Sequence, residues 1–212
     1  MTIHEGQPIL SRGTRLTEAR AVMVMLHGRG ASAESILSLS DEFAHPDFAY
    51  LAPQAAGHTW YPFGFMEPLA RNEPYLSSAL ATIERVLKRV HDAAIPATQV
   101  MLLGFSQGAC LTLEFAARHA DHYAGVIALT GGLIGPDDTP RDYPGSFAGT
   151  PFFLGCSDVD FHVPKARVDQ SAEVLARMGA NVTKQFYRGM GHTINQDEID
   201  FVKSMMDALM RT

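Results

Sequence analysis

The chain has 212 residues, 46% hydrophobic and 19% charged, and carries a formal net charge of −6 at pH 7. This length and composition predict a single domain spanning 1–212 with a full core, and exclude a mainly disordered chain. The acidic balance argues against a nucleic-acid partner; no apolar run nears the roughly 20 residues of a membrane span, and residues 1–10 lack the features of a signal peptide, so a cytoplasmic location is expected.

In chain order, residues 9–16 suggest an antiparallel edge hairpin turning at Arg12-Gly13. Residues 21–26 are a short apolar run closed by Gly28 and Gly30, and read as a buried strand. Residues 48–52, ending at Pro53, read the same way. Residues 55–74 are rich in Gly, Pro and the aromatics Trp60, Tyr61, Phe63 and Phe65. They predict a long loop, and such loops in compact domains are usually functional. Leu76, Leu80, Ile83, Leu87 and Val90 recur at helical spacing and form one apolar stripe. Residues 100–103 give another strand, followed by a turn at 104–108 and a helix over 107–118. Strands at 125–129 and 151–154 flank a second loop, 131–149. Val163-Pro164 opens a helix with proline at its first position, buries Val168, Ala172 and Leu175, and stops at Gly179. Residues 182–187 give the last strand. Asn195 and Glu198 are spaced as a capping box, with Ile194 and Ile199 as a hydrophobic staple, ahead of the final helix. Strands apolar on both faces, alternating with helices, predict an α/β architecture with a mostly parallel twisted sheet covered on both sides.

The sharpest chemical signal is Gly104-Phe105-Ser106-Gln107-Gly108, a G-x-S-x-G motif between an apolar strand and a helix. That context places a serine hydroxyl on a tight, exposed strand-to-helix turn. The N–H of Gln107 then sits at a helix N-terminus, where the dipole favours an oxyanion. A serine nucleophile needs a base oriented by a third group. Asp158, Asp160 and His162 follow the strand at 151–154, and His192 follows the last strand within Gly189-Met-Gly-His192. Ser…Asp…His is the chain order expected of α/β-hydrolases. His192 is the expected base, with His162 the alternative. Asp160 is the expected acid because Val159, Phe161 and Val163 surround it with apolar neighbours, whereas Asp158 follows an exposed-looking turn. His27, in Leu26-His27-Gly28-Arg29-Gly30, reads as structural, and the glycines there free the Arg29 N–H to act as second oxyanion donor. Cys110 and Cys156 read as buried reduced thiols. No zinc or nucleotide-binding motif appears, and no cofactor is expected.

Together, Leu26-His-Gly-Arg-Gly30, Gly104-Phe-Ser-Gln-Gly108, Asp158-Val-Asp160 with Val163-Pro164, and Gly189-Met-Gly-His192 resemble the phospholipase/carboxylesterase family, which includes acyl-protein thioesterases and small bacterial carboxylesterases. The resemblance implies an α/β-hydrolase fold without a large cap domain. It implies Ser106 as nucleophile, Asp160 as acid, His192 as base, and an oxyanion hole at the N–H groups of Arg29 and Gln107. It places Trp60 in the substrate loop, where Trp60, Tyr61, Phe63 and Phe65 are expected to wall an apolar acyl site. Many family members carry leucine in place of Arg29, and the stretch from Pro53 to Trp60 is shorter than in acyl-protein thioesterases. Both departures argue against a long-chain acyl-protein substrate, and the expected function is a serine carboxylesterase acting on short- to medium-chain small-molecule esters. A thioesterase or lysophospholipase with the same triad, and a catalytically silent binding protein of the same fold, are the alternatives. An aromatic patch near Trp60 could support a homodimer.

Overall fold

The computed structural model describes residues 2–211. Among these, seven strands form one sheet: β1 (Ile9–Gly13), β2 (Ala21–Leu26), β3 (Phe48–Pro53), β4 (Val100–Phe105), β5 (Gly125–Leu129), β6 (Pro151–Ser157) and β7 (Asn181–Tyr187). Their spatial order is β1-β3-β2-β4-β5-β6-β7, parallel throughout except for β1 against β3. The helices are α1 (Ala33–Leu37), α2 (Leu39–Phe43), α3 (Leu69–Asn72), α4 (Tyr75–Asp92), α5 (Gln107–Arg118), α6 (Lys165–Arg177) and α7 (Gln196–Met210).

Strand periodicity divides the core into two layers. Val22, Val24 and Leu26 of β2 face α4, α5 and α6, while Ala21, Met23 and Met25 face α1, α2 and α7. β2 is buried along its whole length because helices cover both of its faces, which is why its sequence is a continuous apolar run. Every residue of α5 except Arg118 is buried, as expected of a helix that starts against the middle of the sheet. α7 begins with the capping box: Asn195 Oδ1 accepts from the N–H of Glu198, and Glu198 Oε2 accepts from the N–H of Asn195.

The structure departs from the expected elements in four places, the first being that the expected loop 55–74 contains the short helix α3 and a 3-10 turn at Ala56–His58. The segment at 9–16 is not a hairpin, because Ile9 to Gly13 pairs with β3 and residues 14–16 carry no strand. Pro164 caps α6 at φ −59° and ψ 135°, one position before the helix, instead of occupying its first turn. The short helices α1 and α2 follow β2 in a stretch too brief for a periodic stripe to show. Both long loops follow the C-terminal ends of strands, and the second is tied down by the buried side chains of Glu114 and Arg167. Glu114 of α5 accepts from the N–H of Ile134 (3.0 Å) and the hydroxyl of Tyr143 (3.0 Å). Arg167 of α6 donates to the carbonyls of Leu133 (2.8 Å) and Gly135 (2.5 Å). The N–H of Gly135 donates to Phe65 O (2.7 Å), joining the second loop to the first. No helix of the described residues is long and apolar enough to cross a membrane.

Candidate active site

Ser106 stands between the last residue of β4 and the first of α5, at φ 54° and ψ −117°. A non-glycine residue held there stores strain of order 1–3 kcal/mol, which the surrounding packing must offset. The flanking glycines make the turn possible. A Cβ on Gly104 would overlap the backbone of Gly108, and one on Gly108 would overlap the carbonyl of Leu26, so any side chain would push α5 off β2. The N–H of Ser106 donates to Leu129 O (3.0 Å), leaving the hydroxyl to project beyond the sheet.

His192 lies in the loop between β7 and α7, and Asp160 in the loop after β6. His192 Nε2 is 2.8 Å from Ser106 Oγ, and His192 Nδ1 is 2.7 Å from Asp160 Oδ2. With Asp160 ionised, Nδ1–H donates to the carboxylate, and Nε2 is left with a lone pair for the serine O–H. Asp160 Oδ1 accepts from the N–H groups of His162 (2.7 Å) and Val163 (2.8 Å). Burial raises the pKa of Asp160, but the hydrogen bonds from His192, Val163 and His162 outweigh it and hold the carboxyl below its ordinary value. The Asp160 side chain is 0% exposed. Its shelter differs from the sequence expectation, since Val159 is 55% and Phe161 96% exposed. The imidazole and two main-chain N–H groups enclose the carboxylate. Asp158 also differs from expectation: its Oδ1 accepts from the N–H of Gly189 (2.8 Å), bridging the acid loop to the histidine loop instead of bonding locally. The ring of His162 packs edge-to-face on His192, 4.8 Å between centroids, and does not reach Ser106 by hydrogen bond.

These side chains open onto a cavity of about 320 Å³. Arg29 and Gln107 border it, and neither donates its backbone N–H to another group among the described residues. Both side chains do something the sequence did not reveal. Gln107 Oε1 accepts from the N–H of Trp60 (2.9 Å) and its Nε2 donates to Tyr61 O (2.8 Å), which fixes the first loop to the start of α5. The Arg29 guanidinium donates to Thr59 Oγ1 (3.2 Å), Pro62 O (2.8 Å) and Phe63 O (2.6 Å). Local pattern cannot signal such pairings, because the partners lie tens of residues apart.

The four loop aromatics divide. Tyr61 and Phe65 border the cavity. Trp60 does not: it is fully buried and donates Nε1–H to the carbonyl of His27 (2.9 Å), so its ring fills the core beneath the loop. Trp60 itself therefore contributes nothing to the aromatic surface expected near it. Phe63 is 42% exposed and lies under the guanidinium of Arg71 (4.2 Å), outside the cavity. His27 Nδ1–H donates to Gly28 O (2.8 Å), while its Nε2 accepts from the N–H of Ala55 (3.1 Å). Burial lowers its pKa, which suits a neutral ring locking two loops together. Cys110 lines the cavity, and burial pushes its thiol up to about 12, which favours the protonated form over the nucleophilic thiolate.

A sequence model described as phospholipase/carboxylesterase matches residues 14–210. Acyl-protein thioesterase 1 of Saccharomyces cerevisiae is 26% identical, with 91% of this chain and 94% of that protein aligned. The protein of the same name from Neurospora crassa is 29% identical over 69% of this chain, which spans 63% of that relative's length. Among solved structures, a phospholipase/carboxylesterase from Dyadobacter fermentans superposes with a TM-score of 0.92 at 42% identity, covering 95% of this chain and 97% of that one. A Bacillus cereus carboxylesterase shares the fold, with a TM-score of 0.74 at 18% identity over 97% of this chain and 95% of that one.

Proposed function

Because the chain belongs to the phospholipase/carboxylesterase family of α/β-hydrolases, we propose that it is a serine carboxylesterase acting on short- to medium-chain esters. The observation that carries this is the hydrogen-bonded chain from Ser106 through His192 to Asp160, at 2.8 and 2.7 Å, opening onto a cavity. His192 takes the proton of Ser106 as the hydroxyl attacks the ester carbonyl. Asp160 keeps the imidazole in the tautomer with Nε2 free and stabilises the imidazolium that forms. The N–H groups of Arg29 and Gln107 receive the developing oxyanion, and the α5 N-terminus adds its dipole. His192 then passes its proton to the leaving alcohol, and water releases the acyl group by the same steps. No cofactor enters this scheme.

The volume argues for modest acyl length, since about 320 Å³ lies near the lower end of the range for ligand pockets. Each buried methylene contributes about 0.8 kcal/mol until the space is full. A hydrolysis panel of esters graded from acetyl to palmitoyl, with Ser106→Ala as blank, tests the reading. kcat/KM should climb and then fall at medium length, and Ser106→Ala should lose roughly 10⁴-fold or more. Unchanged hydrolysis by the alanine variant would refute the mechanism. The relatives named acyl-protein thioesterase favour a second reading, thioester hydrolysis by the same residues. Matched thioesters in the same panel, with a steady rise to palmitoyl, would replace the first reading with the second.

A further inference from the structure

Resting on the esterase reading, we propose that the substrates are monoesters of dicarboxylic acids, with the free carboxylate on the acyl side held by the Arg29 guanidinium. An arginine offers five N–H donors in a rigid fork. Three of them are spent on Thr59 Oγ1, Pro62 O and Phe63 O, all neutral acceptors. These bonds fix the group in place without neutralising it, and Arg29 forms no ion pair among the described residues. Arg29 is exposed and lines the cavity, with its guanidinium 5.9 Å over the Tyr61 ring. Arg167, by contrast, is buried and paired with Asp137, so its charge is met within the fold.

The rest of the cavity agrees. Arg29, His162 and His192 line it, and no acidic residue does; Asp160 is enclosed behind His192. The start of α5 adds its positive dipole to the same space. Among the described residues, Arg29 is the one lining residue with a permanent charge, in a chain of net charge −6. Clamping residues 59–63 uses three of the donors, and a substrate carboxylate would meet the remaining charge with charge-assisted hydrogen bonds.

Topology sets which half of the ester carries the anion. Arg29 follows β2 and His192 follows β7, and these strands lie on opposite sides of β4, whose end bears Ser106. The leaving oxygen must face His192 to collect its proton. The oxyanion and the acyl chain therefore both lie away from His192, on the side of Ser106 where Arg29 stands.

The test compares monoethyl succinate, glutarate and adipate with neutral ethyl esters of matched length, and with acetate esters whose alcohol half carries the carboxylate. The parent should favour one acyl-side anionic ester over its neutral match by roughly tenfold or more in kcat/KM, the ordinary scale of a hydrogen bond to a charged group. Arg29→Gln loosens the loop and lowers both rates, but it should also bring the ratio to about one, chiefly through KM. Arg29→Lys should give an intermediate ratio. A parent that prefers neutral esters, a ratio untouched in Arg29→Gln, or a preference for the alcohol-side anion would overturn the proposal. Parent hydrolysis of the neutral ester, lost in Ser106→Ala, scores the esterase reading separately. Should neither ester be hydrolysed, calorimetry of monoethyl glutarate on Ser106→Ala decides: binding lost in Ser106→Ala/Arg29→Gln supports the carboxylate site at Arg29, and binding kept in the double variant or absent from both overturns it.

Discussion

Glu198 has no place in the chemistry above, yet it sets a measurable pH dependence. It is fully buried at the start of α7, with its carboxyl packed against Gly155. Oε2 receives the N–H of Asn195, while Oε1 has no partner among the described residues. Burial raises its pKa from the ordinary 4.5 to about 7; the Asn195 hydrogen bond opposes the rise and the neighbouring charge of Asp197 adds to it. Between those two values the folded chain binds more protons at this site than the unfolded chain does. Stability from this group is therefore fully present below about pH 4.5 and lost as pH rises through about 7. At about 1.4 kcal/mol per unit, the loss between pH 5 and 8 is roughly 2.5 kcal/mol. Glu198→Gln keeps an acceptor for Asn195 but cannot titrate. Its own buried amide costs about 1–3 kcal/mol at every pH, so the informative quantity is the difference between parent and variant as pH changes. Urea unfolding at pH 5, 6, 7 and 8 should show the parent losing roughly 2.5 kcal/mol relative to Glu198→Gln across that range. A difference constant to within about 0.5 kcal/mol would refute the buried, protonated carboxyl.

Gln107→Ala should leave the Trp60 N–H and Tyr61 carbonyl without their partners, costing about 2–4 kcal/mol by thermal melting and lowering kcat/KM as the loop loosens; an unchanged melting temperature would contradict the clamp. Gly108→Ala should force α5 away from the carbonyl of Leu26, costing about 1–3 kcal/mol and misplacing Ser106, so a variant with parent stability and rate would show that the contact is not tight.

The legible parts of this molecule are those governed by local physics. Continuous apolar runs marked the buried strands β2 to β6, because covering both faces of a strand removes any reason for polar alternation. The Asn195–Glu198 spacing marked the start of α7, because a capping box spans only four residues. Ser106 and His192 could be located at the ends of β4 and β7 from motif and order, and Asp160 is set apart from Asp158 in sequence only by its apolar neighbours and the family resemblance; the structure brings the three side chains within hydrogen-bond distance. What could not be read depends on contacts across long sequence separations. Trp60 looks like a loop aromatic until His27, 33 positions earlier, is seen to offer its carbonyl to the indole. The clamps from Arg29 and Gln107 onto residues 59–63 fail to show for the same reason. In loops, apolar neighbours say nothing of direction, because no pleat or helical turn fixes where a side chain points. Phe161 flanks Asp160 in sequence and still lies in solvent.

That last point bears on Asp158 and Asp160, which two residues of chain make equivalent by position and which the structure gives different work. Asp160 meets the ring nitrogen of His192 distal to the serine, at 2.7 Å. In Asp160→Asn an amide N–H replaces an acceptor there, so Nδ1 must become the acceptor and the proton moves to Nε2. The lone pair that receives the serine proton is then gone, and kcat should fall on the order of 10⁴-fold. Asp158 reaches instead to the N–H of Gly189, at the root of the loop that carries His192. In Asp158→Asn the amide carbonyl still accepts that N–H, so the loss should stay below about tenfold, with only the charge removed. Asp158→Ala deletes the acceptor, frees the loop on the His192 side and should cost more than the asparagine variant while remaining well above Asp160→Asn. Measured on one ester, the three rates should therefore rank Asp158→Asn, Asp158→Ala, Asp160→Asn from fastest to slowest. An inactive Asp158→Asn beside an active Asp160→Asn would reverse the roles, and equal losses in both asparagine variants would mean that the loop acts through its charge alone and not through the tautomer of His192.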